Sequence, residues 1–291
     1  MQVLFLVLAD GGSEHLRDVE TCKKTWVKTQ LVNTEVIFVR RGETTKFDPE
    51  SRILYVTVTN SKTEILDKTL EAISWSLVNR KFDFLVRANC STYFDFNRTL
   101  RLLERVSAPF FGGYVMRRKP INRDSEISFY VSGAAMFFSL DVASDLVKDP
   151  PKTDSFISDD VNISGHLVSK GILIKPIRRS NPANTHIYLP ASHYRMKSSH
   201  ENSYASQRMD LFFELKSSKR IRGKALAIFK ILSFEVHSLK STPKGLLGFF
   251  IDLYTIGFNK FLSIRLKFWN LKRTFLSKPP AHTQIIKRRA L

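Results

Sequence analysis

Residues 3–9 are seven consecutive apolar or small side chains, followed closely by Gly11-Gly12. A run of that length bounded by a turn signal predicts a strand buried on both faces. Residues 15–29 read as a helix carrying Trp26, and residues 35–40 and 52–57 as two further strands, the second rich in β-branched side chains. Residues 63–79 set Ile65, Leu66, Leu70, Ile73 and Leu77 at helical spacing, one face of an amphipathic helix. Residues 81–88 predict a strand that runs into the polar segment Asn89-Cys90-Ser91-Thr92. A helix over 97–106, strands over 110–116 and 129–139, a short helix over 141–148 and a helix over 160–170 complete the pattern. Gly171 then stands where a left-handed residue closes a helix.

Strands alternating with helices predict an α/β fold around a largely parallel sheet. Ligands of open parallel sheets gather at the carboxyl ends of the strands. The polar segment after residues 84–87 is therefore a candidate site on topology alone.

Composition adds size and compartment. Of 291 residues, 43% are hydrophobic and 12% aromatic, which supplies a large core and excludes a disordered chain. At roughly 100–200 residues per domain, one domain of catalytic size plus an appendage is expected. Two cysteines, Cys22 and Cys90, exclude a disulfide scaffold and a cysteine-based zinc site, and fit a reducing compartment. No apolar run approaches the ~18 residues of a membrane span, and the first ten residues lack the basic start and small-residue cleavage site of a secretory signal.

Charge divides the chain. The net charge is +19, from 46 Lys and Arg against 27 Asp and Glu. Residues 219–291 hold 16 Lys and Arg against Glu235 and Asp252, a net +14, and residues 1–218 carry the other +5. In the tail, basic clusters such as Lys219-Arg220-Ile221-Arg222-Gly223-Lys224 alternate with apolar aromatic runs over 245–251 and 261–269. Helices of this texture lie in the headgroup layer of an anionic membrane, where each basic residue contributes about 1 kcal/mol. Packing back on the domain is the alternative the same pattern allows. A nucleic-acid partner is not expected, because the aliphatic runs exceed what phosphate binding needs and no recognition motif accompanies them. The expected division is a catalytic-type domain over 1–218 and a basic amphipathic membrane-association segment over 219–291, placing the protein in the cytoplasm on the inner face of the membrane.

Several segments then fall in a recognisable order. Arg17, Lys23, Lys24, Thr25 and Trp26 come first, and Ser61-Lys62-Thr63-Glu64-Ile65-Leu66-Asp67-Lys68-Thr69-Leu70 with Trp75 follows. Phe84-Leu85-Val86-Arg87-Ala88-Asn89-Cys90-Ser91-Thr92-Tyr93-Phe94-Asp95, Tyr130-Val131-Ser132-Gly133 to Ser139, and Asp159-Asp160-Val161 running on to Gly171 complete the series. Together, over roughly residues 1–175, they resemble the motifs of the glycosyltransferase family of Fringe and the β-1,3-galactosyltransferases. His193-Tyr194-Arg195-Met196-Lys197 is similar to a segment of bacterial and viral relatives.

The resemblance implies a GT-A-type, Rossmann-like, mostly parallel sheet flanked by helices. It also implies inverting transfer of a hexose or N-acetylhexosamine from a UDP-sugar donor to a glycan or lipid-linked acceptor in surface polysaccharide synthesis. By the same resemblance Asp160 is the general base, with Asp159 orienting it, raising its pKa or binding acceptor. Donor-binding positions are Lys68, Arg87, Asn89, Ser91, Ser132, Gly133, His193 and Arg195, with Lys197 as a further cation. One departure stands out: the family's three metal-holding acids are Asn89, Cys90 and Ser91 here. Neutral oxygens hold a hard cation weakly, so Mn2+ or Mg2+ at Asn89, Ser91 and His193 and metal-independent transfer both stay open.

Plainer readings exist for each residue. Asp159 and Asp160 suit a helix start, Asn89 and Ser91 a turn, Ser132-Gly133 a strand bulge, and His193 a solvated loop. Trp26 and Trp75 are expected in the core and Cys90 to be inert. The Asn-x-Ser/Thr triplets at 89–91, 97–99 and 162–164 read as chance matches. Loss of the acidic triplet also prompts an alternative, a catalytically silent nucleotide-sugar or glycan-binding module of the same fold.

Overall fold

The computed structural model describes residues 1–9, 13–58, 64–118, 128–152, 157–180, 190–197, 205–218, 223, 224, 226–228, 230, 231 and 234. Met1–Leu232 form one compact unit and Ser233–Leu291 a second. The expected membrane segment lies almost wholly outside the described residues.

In chain order the elements are β1 (Val3–Leu8), α1 (Ser13–Lys24), β2 (Thr34–Gly42), β3 (Lys46–Asp48), β4 (Ile53–Thr57), α2 (Glu64–Asn79), β5 (Phe84–Asn89), β6 (Thr92–Phe94) and α3 (Phe96–Leu103). They continue with β7 (Phe111–Arg118), β8 (Ser128–Ser139), α4 (Leu140–Lys148), α5 (Asp159–Ser169), β9 (Ile174–Pro176), β10 (Arg179–Ser180), β11 (His193–Arg195) and α6 (Ala205–Ser217). Eight strands make one sheet in the order β3-β4-β2-β1-β5-β8-β7-β9. Its centre, β4-β2-β1-β5, is parallel throughout, whereas β8 is antiparallel to both β5 and β7.

The uninterrupted apolar run of β1 has its explanation in the layers. Val3, Phe5 and Val7 face a core shared with Val19 and Cys22 of α1, Leu100 of α3 and Met209 and Phe212 of α6. Leu4, Leu6 and Leu8 face the opposite core, with Leu66 and Ile73 of α2, Leu146 of α4 and Ile163 and Leu167 of α5. A strand covered on both faces has no position at which a polar side chain is solvated.

Several boundaries differ from the sequence pattern. The helix expected over 15–29 ends at Lys24, and a separate 3-10 turn occupies Val27–Thr29. Trp26, at the break, is fully buried against Phe5, Phe94 and Phe96. Trp75 is only half-buried; Phe47 lies beside it and the Arg80 guanidinium sits over its ring at 4.7 Å. Helix α3 starts one residue early because Asp95 caps it, accepting from the Arg98 N–H at 3.2 Å. Gly171 ends α5 at φ 81°, the left-handed closure the pattern predicts. A second sheet, β10-β11-β6, and helix α6 have no counterpart in that pattern.

The two tryptophans differ measurably. Trp26→Ala should cost about 3–5 kcal/mol in urea unfolding, the range for emptying a closed aromatic site, and Trp75→Ala clearly less. An unshifted midpoint for Trp26→Ala would show that the Phe5–Phe94–Phe96 cluster does not depend on it.

Candidate functional site

Phe84, Val86, Ala88 and Cys90 along β5 face the α1/α3/α6 core, and Leu85 faces the other side. By alternation the next position on that other side is Arg87. A guanidinium therefore enters the layer between the sheet and α5, where it is 1% exposed. Its Nη2 donates to Asp159 Oδ2 at 2.5 Å, and its Nη1 donates to Asn89 Oδ1 at 3.1 Å and to the Gly133 carbonyl. Burial pushes the Asp159 carboxyl above the usual range; Arg87 pulls it back, and the neighbouring Asp160 pushes it up again.

Gly133 is shared by both acids. Its N–H donates to Asp160 Oδ2 at 2.9 Å while its carbonyl receives Arg87. A Cβ at this position would meet Arg87 Nη1 at 2.7 Å and Asp160 Cβ and Oδ2 at 3.4 Å, so any larger residue would have to displace the Arg87 guanidinium. Asp160 Oδ1 accepts from the Ser158 hydroxyl at 2.6 Å and from the Val161 N–H at 3.0 Å. The residues on either side join the same assembly. Ser132 Oγ accepts from Arg179 Nη1 at 2.8 Å, and the Ala134 carbonyl accepts from the Thr92 hydroxyl at 2.8 Å.

Most of the residues singled out by sequence thus meet on one short piece of β8. Arg87, Asn89, Asp159, Asp160 and Gly133 are connected by hydrogen bonds, Ser132 adjoins Gly133 in the chain, and Arg195 stands opposite Thr92 on β11. Lys68 belongs to another element. It is buried on α2 with Nζ 3.5 Å from Glu64 Oε1, in the second turn of a helix whose start lies at the carboxyl edge of the sheet. Ser91 is buried, and its carbonyl receives the Met196 N–H at 3.0 Å. Cys90 is also buried.

His193 is neither solvated nor in a loop. It lies on β11, fully buried, its ring stacked on Phe94 and tilted against Phe137, with Nδ1 3.0 Å from Ser192 Oγ. Burial and the nearby Arg179 guanidinium push its pKa down to about 3. Two of the three donors expected for Mn2+ or Mg2+ have other neighbours. The Asn89 carbonyl oxygen is turned to a guanidinium, and His193 sits in an aromatic cage beside a second one. Among the described residues no three of His, Cys, Asp and Glu gather as ligands.

Sequence reasoning missed Arg179 and Tyr114. Arg179 is 7% exposed, and its guanidinium lies 4.0 Å from the Tyr114 ring centre. Nothing in the sequence separates Arg179, which is buried, from its exposed neighbour Arg178. Beside α5, Tyr130, Val161, Asn162 and His166 line a cleft with Pro150 and Pro151, next to the Asp160 end of the cluster.

No family model and no curated protein matches the chain. Among solved structures, it is similar at 9% identity to a glycosyltransferase involved in glycosylating the major capsid of PBCV-1, over 72% of this chain and 100% of that one, with a TM-score of 0.46. It is similar at 12% identity to the galactosyltransferase LgtC in complex with donor and acceptor sugar analogues, over 77% of this chain and 100% of that one, TM-score 0.44. The apo-form glycosyltransferase GlyE of Streptococcus pneumoniae aligns at 9% identity over 68% of this chain and 55% of its own, TM-score 0.37.

The buried pair makes a clear energetic statement. Arg87→Met leaves Asp159 without its counter-ion and should cost about 3–5 kcal/mol, whereas Arg87→Met with Asp159→Leu should recover a substantial part of that loss. Urea unfolding of both variants measures it; additive losses would show that the two side chains do not act as a pair.

Proposed function

We propose that this protein is a glycosyltransferase that moves a hexose or N-acetylhexosamine from a UDP-sugar to a glycan or lipid-linked acceptor with inversion. The observation that carries the reading is the convergence on Ser132-Gly133 of the motif positions on β5, β8 and the start of α5. Chain segments separated by tens of residues meet at one point, beside the carboxyl end of β5, where ligands of such sheets are held.

In this reading Asp160 is the base. Its Oδ2 is fixed by the Gly133 N–H, and its Oδ1 faces the exposed Ser158 hydroxyl, the direction from which an acceptor hydroxyl would approach. The carboxylate takes the acceptor proton as the acceptor oxygen bonds to the anomeric carbon. The bond from that carbon to the diphosphate oxygen breaks, and the nucleoside diphosphate leaves with the electron pair. Asp159, clamped by Arg87, keeps the start of α5 in register with β8. The cleft along Tyr130 and Asn162 supplies a surface for the acceptor. Asp160→Asn retains an oxygen for the Gly133 N–H, so folding should persist while UDP-sugar-dependent transfer falls by more than about a hundredfold. Near-normal turnover in that variant would refute the assignment.

The second reading, a silent nucleotide-sugar or glycan-binding module, draws on the three donors that already engage Asp160 and on Asn89-Cys90-Ser91. Titration with UDP-sugars, with and without Mn2+, separates the two: transfer or hydrolysis supports the enzyme, and binding without turnover across acceptors supports the module.

The basic tail is proposed to hold the protein at the cytoplasmic face of an anionic membrane. No helix of the described residues is long and apolar enough to cross a bilayer. Ala227 and Ile231 are buried in the first compact unit, so charge reversal further along is the cleaner probe than truncation. Replacing Arg265, Lys267, Lys272 and Arg273 by Glu should abolish sedimentation with phosphatidylserine vesicles; unchanged binding would show that the tail is not the anchor.

A further inference from the structure

The small sheet is two-sided. Register pairs Arg179 with His193 on β10–β11, and pairs His193 with Phe94 and Arg195 with Thr92 on β11–β6. Residues two apart on a strand share a face, as do residues directly opposite on neighbouring strands. Arg179, His193, Arg195, Thr92 and Phe94 therefore point one way. Tyr93 and Tyr194 point the other, and both rings pack on Phe212 of α6.

On the first side the charges do not balance. Arg179 is almost completely buried, its Nε has no hydrogen-bond partner, and its one polar side-chain contact among the described residues is the Ser132 hydroxyl, a neutral group. Burial, and after it repulsion by the nearby Arg195, lowers the Arg179 pKa to about 10. Among the described residues no carboxylate lies within ion-pair distance of either arginine. His193, fully buried on the same side, offers no negative charge, and its Nε2 is also without a partner. Arg87 shows how the same fold treats a buried guanidinium that serves structure: it receives a carboxylate at 2.5 Å. Burying Arg179 without one costs desolvation that no contact among the described residues offsets, and the half-buried Arg195 adds a second positive charge beside it. Such an arrangement suits a doubly or triply charged anion that supplies the missing charge on binding, because planar guanidinium forks match phosphate oxygens.

We infer that Arg179 and Arg195 form a seat for the donor's diphosphate and offset its charge on departure with fixed cations in place of a divalent metal. This rests on the glycosyl-transfer reading for the identity of the diphosphate, but the anion seat itself does not. Ser132, which carries Arg179, precedes the glycine that positions Asp160, so the seat and the proposed base are referred to adjacent backbone units. The Tyr114 ring lies against the guanidinium, 4.0 Å from its centre.

The test is calorimetric titration of the full chain with inorganic pyrophosphate and with UDP in the presence of EDTA, alongside thermal unfolding. Pyrophosphate should bind without metal, and Arg179→Gln should weaken it at least tenfold while leaving the unliganded melting midpoint unchanged or higher, since the variant removes an unpaired buried cation. Arg195→Gln, at a half-buried position, should weaken binding in the same direction and guards against a folding defect in the first variant. Pyrophosphate held by the basic tail would ignore both substitutions, and that result overturns the seat. Metal-dependent UDP-sugar turnover indifferent to Arg179→Gln also overturns it while leaving the transfer reading intact. Arginine-dependent pyrophosphate binding with no turnover of any UDP-sugar keeps the seat and removes the transfer reading.

Discussion

A guanidinium enclosed between a sheet and a helix must find its counter-charge inside the protein, and the way Arg87 does so organises everything near it. The ion pair with Asp159 pins the first turn of α5 to β5, and the bond to the Gly133 carbonyl ties both to β8. Further along the same interface the Ser164 hydroxyl accepts from the Val131 N–H, repeating the contact one turn away. Asp160 inherits its position from these restraints and from the Gly133 N–H. Burial raises the Asp159 pKa while Arg87 opposes the rise, so neither partner is comfortable without the other.

The second cationic centre has the opposite character. Around Arg179 and Arg195 the protein provides a hydroxyl, an aromatic ring and a neutral imidazole, all polarisable and none negative. Placing one compensated and one uncompensated guanidinium group on successive residues of β8 gives that strand a structural side and a receptive side. The small sheet buries Tyr93 and Tyr194 against α6 on one face, and on the other carries Arg179 and Arg195 beside the aromatic packing of Phe94 and His193.

How far the sequence reaches into this arrangement depends on the range of the forces involved. The β1 run, the spacing of Leu66, Leu70 and Ile73, and the glycine after α5 are local signals, and each marks its element correctly. Strands β6, β10 and β11 are two or three residues long and exist only through pairing across the chain, as Phe94 pairs with His193. No local pattern announces them, and His193 consequently reads as a loop residue until its partners are in place. The break after Lys24 is similarly invisible, because helical spacing continues through Trp26 and only tertiary packing of that ring decides where the helix ends. At the site, Arg87, Asp159, Asp160 and Ser132-Gly133 stand out through motif order. Arg179 does not, since one of two adjacent arginines in a basic chain carries no mark of being the buried one.

The contacts at Ser132, Gly133 and Ala134 have an implication for how this site can change over time. Four connections reach three consecutive residues: the carbonyl and N–H of Gly133, the carbonyl of Ala134 and one hydroxyl. Three of the four end on main-chain atoms, which every residue type shares. Those three bonds are therefore indifferent to the letters of β8 wherever the strand's path is kept, while Gly133, the Ser132 hydroxyl and the buried Met136, Phe137 and Phe138 stay tied to their own contacts. Gain or loss of a single residue between positions 131 and 135 would exchange inward and outward sides at once, separating the acids from the cations in one step that no later side-chain replacement could repair.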